Sequence, residues 1–341
     1  VVVISLSTIY DIAKRAGVSP ATVSRALNNQ NLVKEETRKK IHKIAEEMNY
    51  SPNFLARSLV KKQTNTIALI ISDITNPFFT TVARGVEDTA SQKGFNTIFC
   101  NTDENIEKEK QYVNLMLQRR VDGIIIASCG SGNNLGDIRN RNLPLVLVDR
   151  AFPGNNGWDS VVGDSEEGAF LLTKHLIEVH HHQKIAIISG PPVLSTSQDR
   201  VRGYLRALRD YNIKENPEWI ISGEFKENFG YQIALKFLQY SDIKPTAVFA
   251  GNNFIAIGII RAAREMDIEI PGDLSLVTFD DLEMASYTCP FLTVAKQPAY
   301  TMGSMATEFL LQRISGEKIR EKRIVVLKPE IIIRKSCGCI Q

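Results

Sequence analysis

Hydrophobic positions follow a helical rhythm over roughly the first fifty residues and a strand-sized rhythm after about residue 66. Ile9, Ile12 and Ala13 sit at i, i+3 and i+4 behind Thr8 and Asp11, which predicts a short capped helix that Gly17 stops. Ser19 then caps a second helix with Pro20 at its first position, where a missing N–H costs nothing. Val23, Ala26 and Leu27 form the inward face of that helix, leaving Ala21, Thr22, Arg25 and Asn28 to face outward. A third helix is predicted over residues 34–49, with Val33, Ile41, Ile44, Ala45 and Met48 as its packing stripe. Two helices joined by a tight turn around Gly17 make a helix-turn-helix, whose second helix can enter a major groove.

From residue 66 the pattern alternates apolar runs with amphipathic stretches, as an α/β fold requires. Strands are predicted at 67–71, 96–100, 123–127, 145–148, 160–163, 185–189, 247–250 and 276–279. Helices are predicted at 77–93, 108–119, 165–179, 199–211, 229–240 and 254–266. Wholly apolar strands such as Ile67-Ala68-Leu69-Ile70-Ile71 imply parallel sheets covered on both faces. The pattern restarts near Ile185, so the body reads as two doubly wound parallel-sheet lobes, with the loops after the strands meeting at a shared cleft. Those loops carry Asp73 with Asn76-Pro77-Phe78-Phe79, then Asp149-Arg150, then Asp280-Asp281. Carboxylate, guanidinium, amide and aromatic groups together suit a sugar-like ligand, because planar groups bind vicinal hydroxyls and ring faces cover C–H surface. A helix cap is the competing role for each single Asp.

Charge separates the two regions. The chain of 341 residues carries a net +3, but residues 1–62 hold 11 basic and 5 acidic side chains, a surplus of +6, and the remainder is mildly acidic. A basic head on an acidic body places a polyanion at the head. Small Pro20 and Ala21 let the second helix approach base edges, and Arg25 can grip guanine O6 and N7. The hydroxyls of Thr8, Ser19, Thr22 and Ser24 suit phosphate oxygens and set register. With 43% hydrophobic and 23% charged residues the chain is globular rather than disordered, and no apolar run is long enough to span a membrane. Five scattered cysteines, and an opening Val1-Val2-Val3-Ile4 run too short for a secretory signal, read as a cytoplasmic protein.

The stretch from Thr8-Ile9-Tyr10-Asp11-Ile12-Ala13 to Ser19-Pro20-Ala21-Thr22-Val23-Ser24-Arg25-Ala26-Leu27-Asn28 resembles the head of the lactose/galactose repressor family, and the resemblance extends to about Arg334. It implies a head over 1–50, a hinge helix and linker over 51–65, and an effector-binding, dimerising body over 66–341. The implied N-lobe covers 66–163 plus 295–324, and the C-lobe 164–294 plus 325–341. It further implies that Leu59, with Ala56 beside it, enters the minor groove of the operator. Apolar wedges of that kind bend DNA by unstacking it, and so short a helix is marginal without its partner. Carried over position by position, the effector site uses Phe78, Phe79, Asp149, Arg150, Thr196, Arg200, Phe225, Asn252 and Asp280, with Gln297 a weaker member. Asn253 stands where the family usually has Asp, which leaves that position's role open. The family implies a homodimer on palindromic operator DNA, a sugar or sugar-derivative effector, and in one branch a phosphoprotein corepressor. A soluble sugar receptor and a sugar-modifying enzyme are the rival classes.

Catalytic and cofactor motifs are missing. Gly190-Pro191-Pro192 is no phosphate loop, no Gly-x-Ser-x-Gly elbow occurs, and Gly130-Ser131-Gly132 lacks the Lys-Ser/Thr of a P-loop. The reading is therefore a non-enzyme without cofactor or metal. His180-His181-His182 reads as a solvated turn, and Cys337-Gly338-Cys339 as idle thiols, since two ligands do not make a structural zinc site.

Overall fold

A computed structural model describes residues 8–27, 32–50, 63–130, 132, 135–152, 157–240, 244–282, 290–317 and 321–339. It divides into two units, Val1–Thr64 and Asn65–Gln341.

The first unit contains α1 (Ile9–Ala16), α2 (Pro20–Leu27) and α3 (Glu35–Glu47). Thr8 and Asp11 form a reciprocal capping box, with the Asp11 carboxylate accepting the Thr8 N–H at 2.9 Å. Gly17 ends α1 at φ 73°, and its N–H reaches the Ala13 carbonyl at 3.0 Å. Ile12, Val23, Ala26 and Ile41 are wholly buried where the three helices meet. Each large aliphatic there contributes about 1.5–3 kcal/mol by leaving water. Lys40 donates to the Ala16 carbonyl at 3.0 Å, placing a cation at the negative end of α1.

The second unit has two six-stranded sheets. The first holds β1 (Thr66–Ile71), β2 (Asn96–Asn101), β3 (Gly123–Ile126), β4 (Leu145–Val148), β5 (Asp159–Gly163) and β11 (Ile324–Leu327), in the order β11-β5-β4-β3-β1-β2 and all parallel. The second holds β6 (Ile185–Ser189), β7 (Ile220–Ser222), β8 (Ala247–Ala250), β9 (Ser275–Phe279), β10 (Thr293–Lys296) and β12 (Glu330–Ile332), in the order β12-β10-β9-β8-β6-β7. Only the edge strand β12 runs antiparallel to its neighbour among these described strands.

Helices cover both faces of each sheet, as the apolar strands require. Ile67, Leu69 and Ile71 pack under α4 (Pro77–Gln92) and α11 (Ala299–Ile314), while Ala68 and Ile70 face α5 (Ile106–Arg119) and the short α6 (Gly136–Asn140). In the second sheet Ile185 and Ile187 face α7 (Ser165–Glu178) and α8 (Ser195–Asp210). Ala186 and Ile188 face α9 (Glu227–Tyr240) and α10 (Asn253–Glu265). Alternate side chains on one strand thus serve two cores.

The lobe boundaries differ slightly from the expected ones. The chain crosses at Gly163-Asp164, again at Gln297-Pro298, and finally at Lys328-Pro329, because β11 belongs to the first sheet. The sequence reading has no strand for β7, β10, β11 or β12 and no helix for α6 or α11. β11 lies at an edge with Ile324 and Val326 half-exposed, so its short run lacks the signature of a buried strand. α8 begins at Ser195, one turn before the expected Asp199, with no side chain capping it. That earlier start puts Thr196 and Arg200 at i and i+4 on one face.

Candidate functional site

In the head, α2 turns Val23 and Ala26 inward and presents Ser19, Ala21 and Arg25 to solvent, with Pro20, Thr22 and Ser24 at the margin. Ser19 caps the helix, its Oγ accepting the Thr22 N–H at 3.2 Å, and the two hydroxyls lie 2.9 Å apart. Thr8 is exposed at the start of α1. Among the described residues no acid pairs with Arg25, whose guanidinium extends from a face otherwise made of small groups. Asn28, Ala56 and Leu59, which the resemblance assigns to DNA, lie outside the described residues.

In the body, all nine residues expected at the effector site line a single cavity between the lobes, joined there by Asp73, Asn76, Glu104 and Phe254. Asp149 follows β4 and Asp280 follows β9, and both take the left-handed conformation, at φ 67° and 65°. Non-glycine residues seldom adopt it, and such strain concentrates at functional sites. Each is pinned by the next strand: the Asp149 N–H donates to Val161 O at 2.9 Å, and the Asp280 N–H to Ala295 O at 3.0 Å. The two lobes therefore present a carboxylate by the same backbone device.

Guanidinium groups face those carboxylates. Arg150 donates twice to Glu104, at 2.8 and 2.6 Å, and its Nε lies 3.4 Å from Asp149. Arg200 donates to the Gly251 carbonyl at 2.5 Å, lies 3.8 Å from Asp280, and stacks over Phe279 at 3.9 Å and Phe225 at 5.6 Å. Asn252 caps α10, its Oδ1 accepting the Ile255 N–H at 2.9 Å. Gln297 donates to Asp280 at 2.9 Å. Phe78 and Phe79 meet edge to face on the first lobe.

Burial dominates the electrostatics. It pushes the Asp149 carboxyl up to about 6, although Arg150 and Arg200 pull the other way. It raises Asp280 as well, against Arg200 and Gln297, and it lowers the Arg200 guanidinium. Asp149 Oδ1, Arg150 Nε, Thr196 Oγ1, Arg200 Nε and Gln297 Oε1 are buried without a hydrogen-bond partner. Each such group costs about 1–3 kcal/mol, which a bound polar molecule would recover.

Among the described residues three contacts draw the lobes together. Lys226 pairs with Asp73, Asn253 Nδ2 donates to Asn76 Oδ1 at 3.1 Å, and the Ala151 N–H donates to Ser195 Oγ at 3.1 Å. The cavity left is about 20 Å³, room for about one water. Sequence reasoning missed Glu104 and the bridging role of Asn253. Glu104 sits in an acidic turn after β2, at φ 59°, that reads as solvated loop. Asn253 bridges only because α10 and α4 converge in space.

Residues 8–53 match the family described as bacterial regulatory proteins, lacI family, and residues 173–337 match the periplasmic binding protein-like domain. The HTH-type transcriptional repressor PurR of Aliivibrio salmonicida is 37% identical over 334 residues, covering 97% of this chain and 99% of the relative. The lac repressor dimer bound to operator and the anti-inducer ONPF superposes with TM-score 0.85 at 28% identity, covering 98% of this chain and 100% of that one. A LacI family regulator from Enterococcus faecium with bound ribose superposes with TM-score 0.70 at 32% identity, covering 81% of this chain and 100% of that one. A helix-turn-helix head, two parallel-sheet lobes and full-length likeness to repressors lead to one conclusion: the chain belongs to the lacI family of bacterial regulatory proteins, as a DNA-binding transcriptional repressor.

Proposed function

We propose that a small polyhydroxylated molecule, a sugar or sugar derivative, occupies the interlobe cleft and controls operator binding by a homodimer. The observation that carries this reading is the set of buried, unpartnered donors and acceptors converging from both lobes. A molecule with several hydroxyls satisfies carboxylate and guanidinium together, and the rings of Phe78 and Phe225 cover its apolar surface. The ribose bound to the Enterococcus regulator supports this chemistry. A palindromic operator with two half-sites matches two heads, and α2 reads bases through Arg25 while its hydroxyls hold phosphates.

The effector acts through the difference in its affinity for open and closed lobes, since equal affinity shifts no equilibrium. A flat heterocycle is the second reading. The relative covering 97% of this chain is named PurR rather than for a sugar operon, and Phe225 and Arg200 offer planar faces. Calorimetric titration with pentoses, hexoses, their phosphates and purine bases separates the two. The sugar reading expects saturable binding of one sugar, lost in Arg200→Ala while operator binding persists. Binding of a base alone, or of nothing in the panel, overturns it.

A further inference from the structure

Away from the cleft, four side chains of metal-ligating type converge where the C-terminal segment returns to the second lobe. His175 lies in the last turn of α7 and His180 just beyond it. Cys337 closes the 3-10 turn Lys335–Cys337, and Cys339 lies two residues on. Their ligand atoms all fall within 4.8 Å of one another. His175 Nε2 is 3.3 Å from Cys337 Sγ and 3.7 Å from Cys339 Sγ, and His180 Nε2 is 3.3 Å from Cys339 Sγ. Around a tetrahedral Zn²⁺, with Zn–S about 2.3 Å and Zn–N about 2.0–2.1 Å, adjacent nitrogen and sulfur ligands stand about 3.6 Å apart. The three distances bracket that value.

We propose that His175, His180, Cys337 and Cys339 bind one Zn²⁺ ion that clasps the C-terminal segment to the end of α7. Two sulfurs and two imidazoles form a set that favours zinc over magnesium or calcium, and four protein ligands close the site as structural zinc requires. The local backbone is built for this approach. Gly338 stands at φ 105°, and a Cβ there would meet the His180 ring at 3.2 Å, so only glycine joins the cysteines in this turn. Supporting bonds hold the ligands in place: Thr293 Oγ1 donates to Cys337 Sγ at 3.1 Å, and Ser275 Oγ donates to the Cys337 carbonyl at 3.1 Å. His182 is not part of the set, because Thr246 and Ser275 hydroxyls occupy its two ring nitrogens at 2.9 Å each. Separately, neither the histidine run nor the Cys-Gly-Cys motif offers four ligands. The fold supplies the missing pairing across 162 residues.

The test uses the full chain, purified without a histidine tag after growth with zinc and dialysed against metal-free buffer. Elemental analysis is expected to find about one zinc per chain, and chelation to lower Tm. Replacing zinc by Co²⁺ is expected to produce the visible bands of a tetrahedral site and thiolate-to-cobalt charge transfer. Cys339→Ser and His180→Ala, both at partly exposed positions, are expected to lose the metal and the cobalt bands while keeping operator binding, which shows that they fold. Wild-type protein free of zinc and silent with Co²⁺ overturns the proposal. So does full zinc occupancy in both variants, or a Cys337–Cys339 disulfide as the stable state in zinc-containing buffer.

Discussion

Arg200 touches a carbonyl, a carboxylate and two aromatic rings, yet keeps one buried N–H without an acceptor. In the proposed site, removing it takes a donor from the effector and leaves Asp280 buried without its cation. Arg200→Ala is therefore expected to weaken effector binding by about 2–5 kcal/mol while operator affinity without effector is unchanged. Parallel calorimetry and gel shifts check this. Asp149 supplies a pH test. Burial raises its carboxyl to about 6 in the fold, so the proton is favoured there and the ionised form is strained above that value. The ionised carboxylate accepts a hydroxyl's hydrogen bond more strongly than the neutral acid does. Effector affinity is expected to fall as pH drops below about 6, by up to about tenfold per unit, and Asp149→Asn is expected to flatten the profile. These carboxylates are legible in sequence because an Asp directly after an apolar strand of a doubly wound sheet points to the cleft. Glu104 is not, since only the approach of Arg150 gives its turn a role.

Among elements, α2 is legible down to its N-cap because every signal that starts it is local: Ser19, Pro20 and the spacing of Val23 and Ala26. Arg25→Ala is expected to relax preference at one operator base pair by about 1–3 kcal/mol, as competition gel shifts with single-base operator variants would read. Thr8→Ala opens the capping box of α1 and is expected to cost about 0.5–1 kcal/mol in the melting of the head. β11 and β12 were not legible. Their residues form one apolar run broken by Lys328-Pro329, and nothing local tells which side of that break joins which sheet. Tertiary bonds decide it: Arg313 and Arg323 both reach Asp159 on β5, anchoring the chain on either side of residues 318–320 to the first lobe.

For the whole molecule, closure among the described residues rests on few contacts. Lys226 is partly exposed, so its pair with Asp73 contributes little on its own, whereas Asn253 and Asn76 meet in a buried bond. Asn253→Ala is expected to shift the resting lobes towards the open arrangement, raising the radius of gyration seen by small-angle scattering without effector. An unchanged radius would remove Asn253 as a latch. The three crossovers lie side by side: the Asp164 N–H donates to Leu327 O at 2.8 Å, and Gly163 sits so close to Gln297 that a Cβ there would lie 1.9 Å from its Oε1. Three neighbouring segments join the lobes where a single one would leave a loose tether, so any opening of the cleft is expected as a hinge rotation about these crossings rather than as free drift of one lobe past the other.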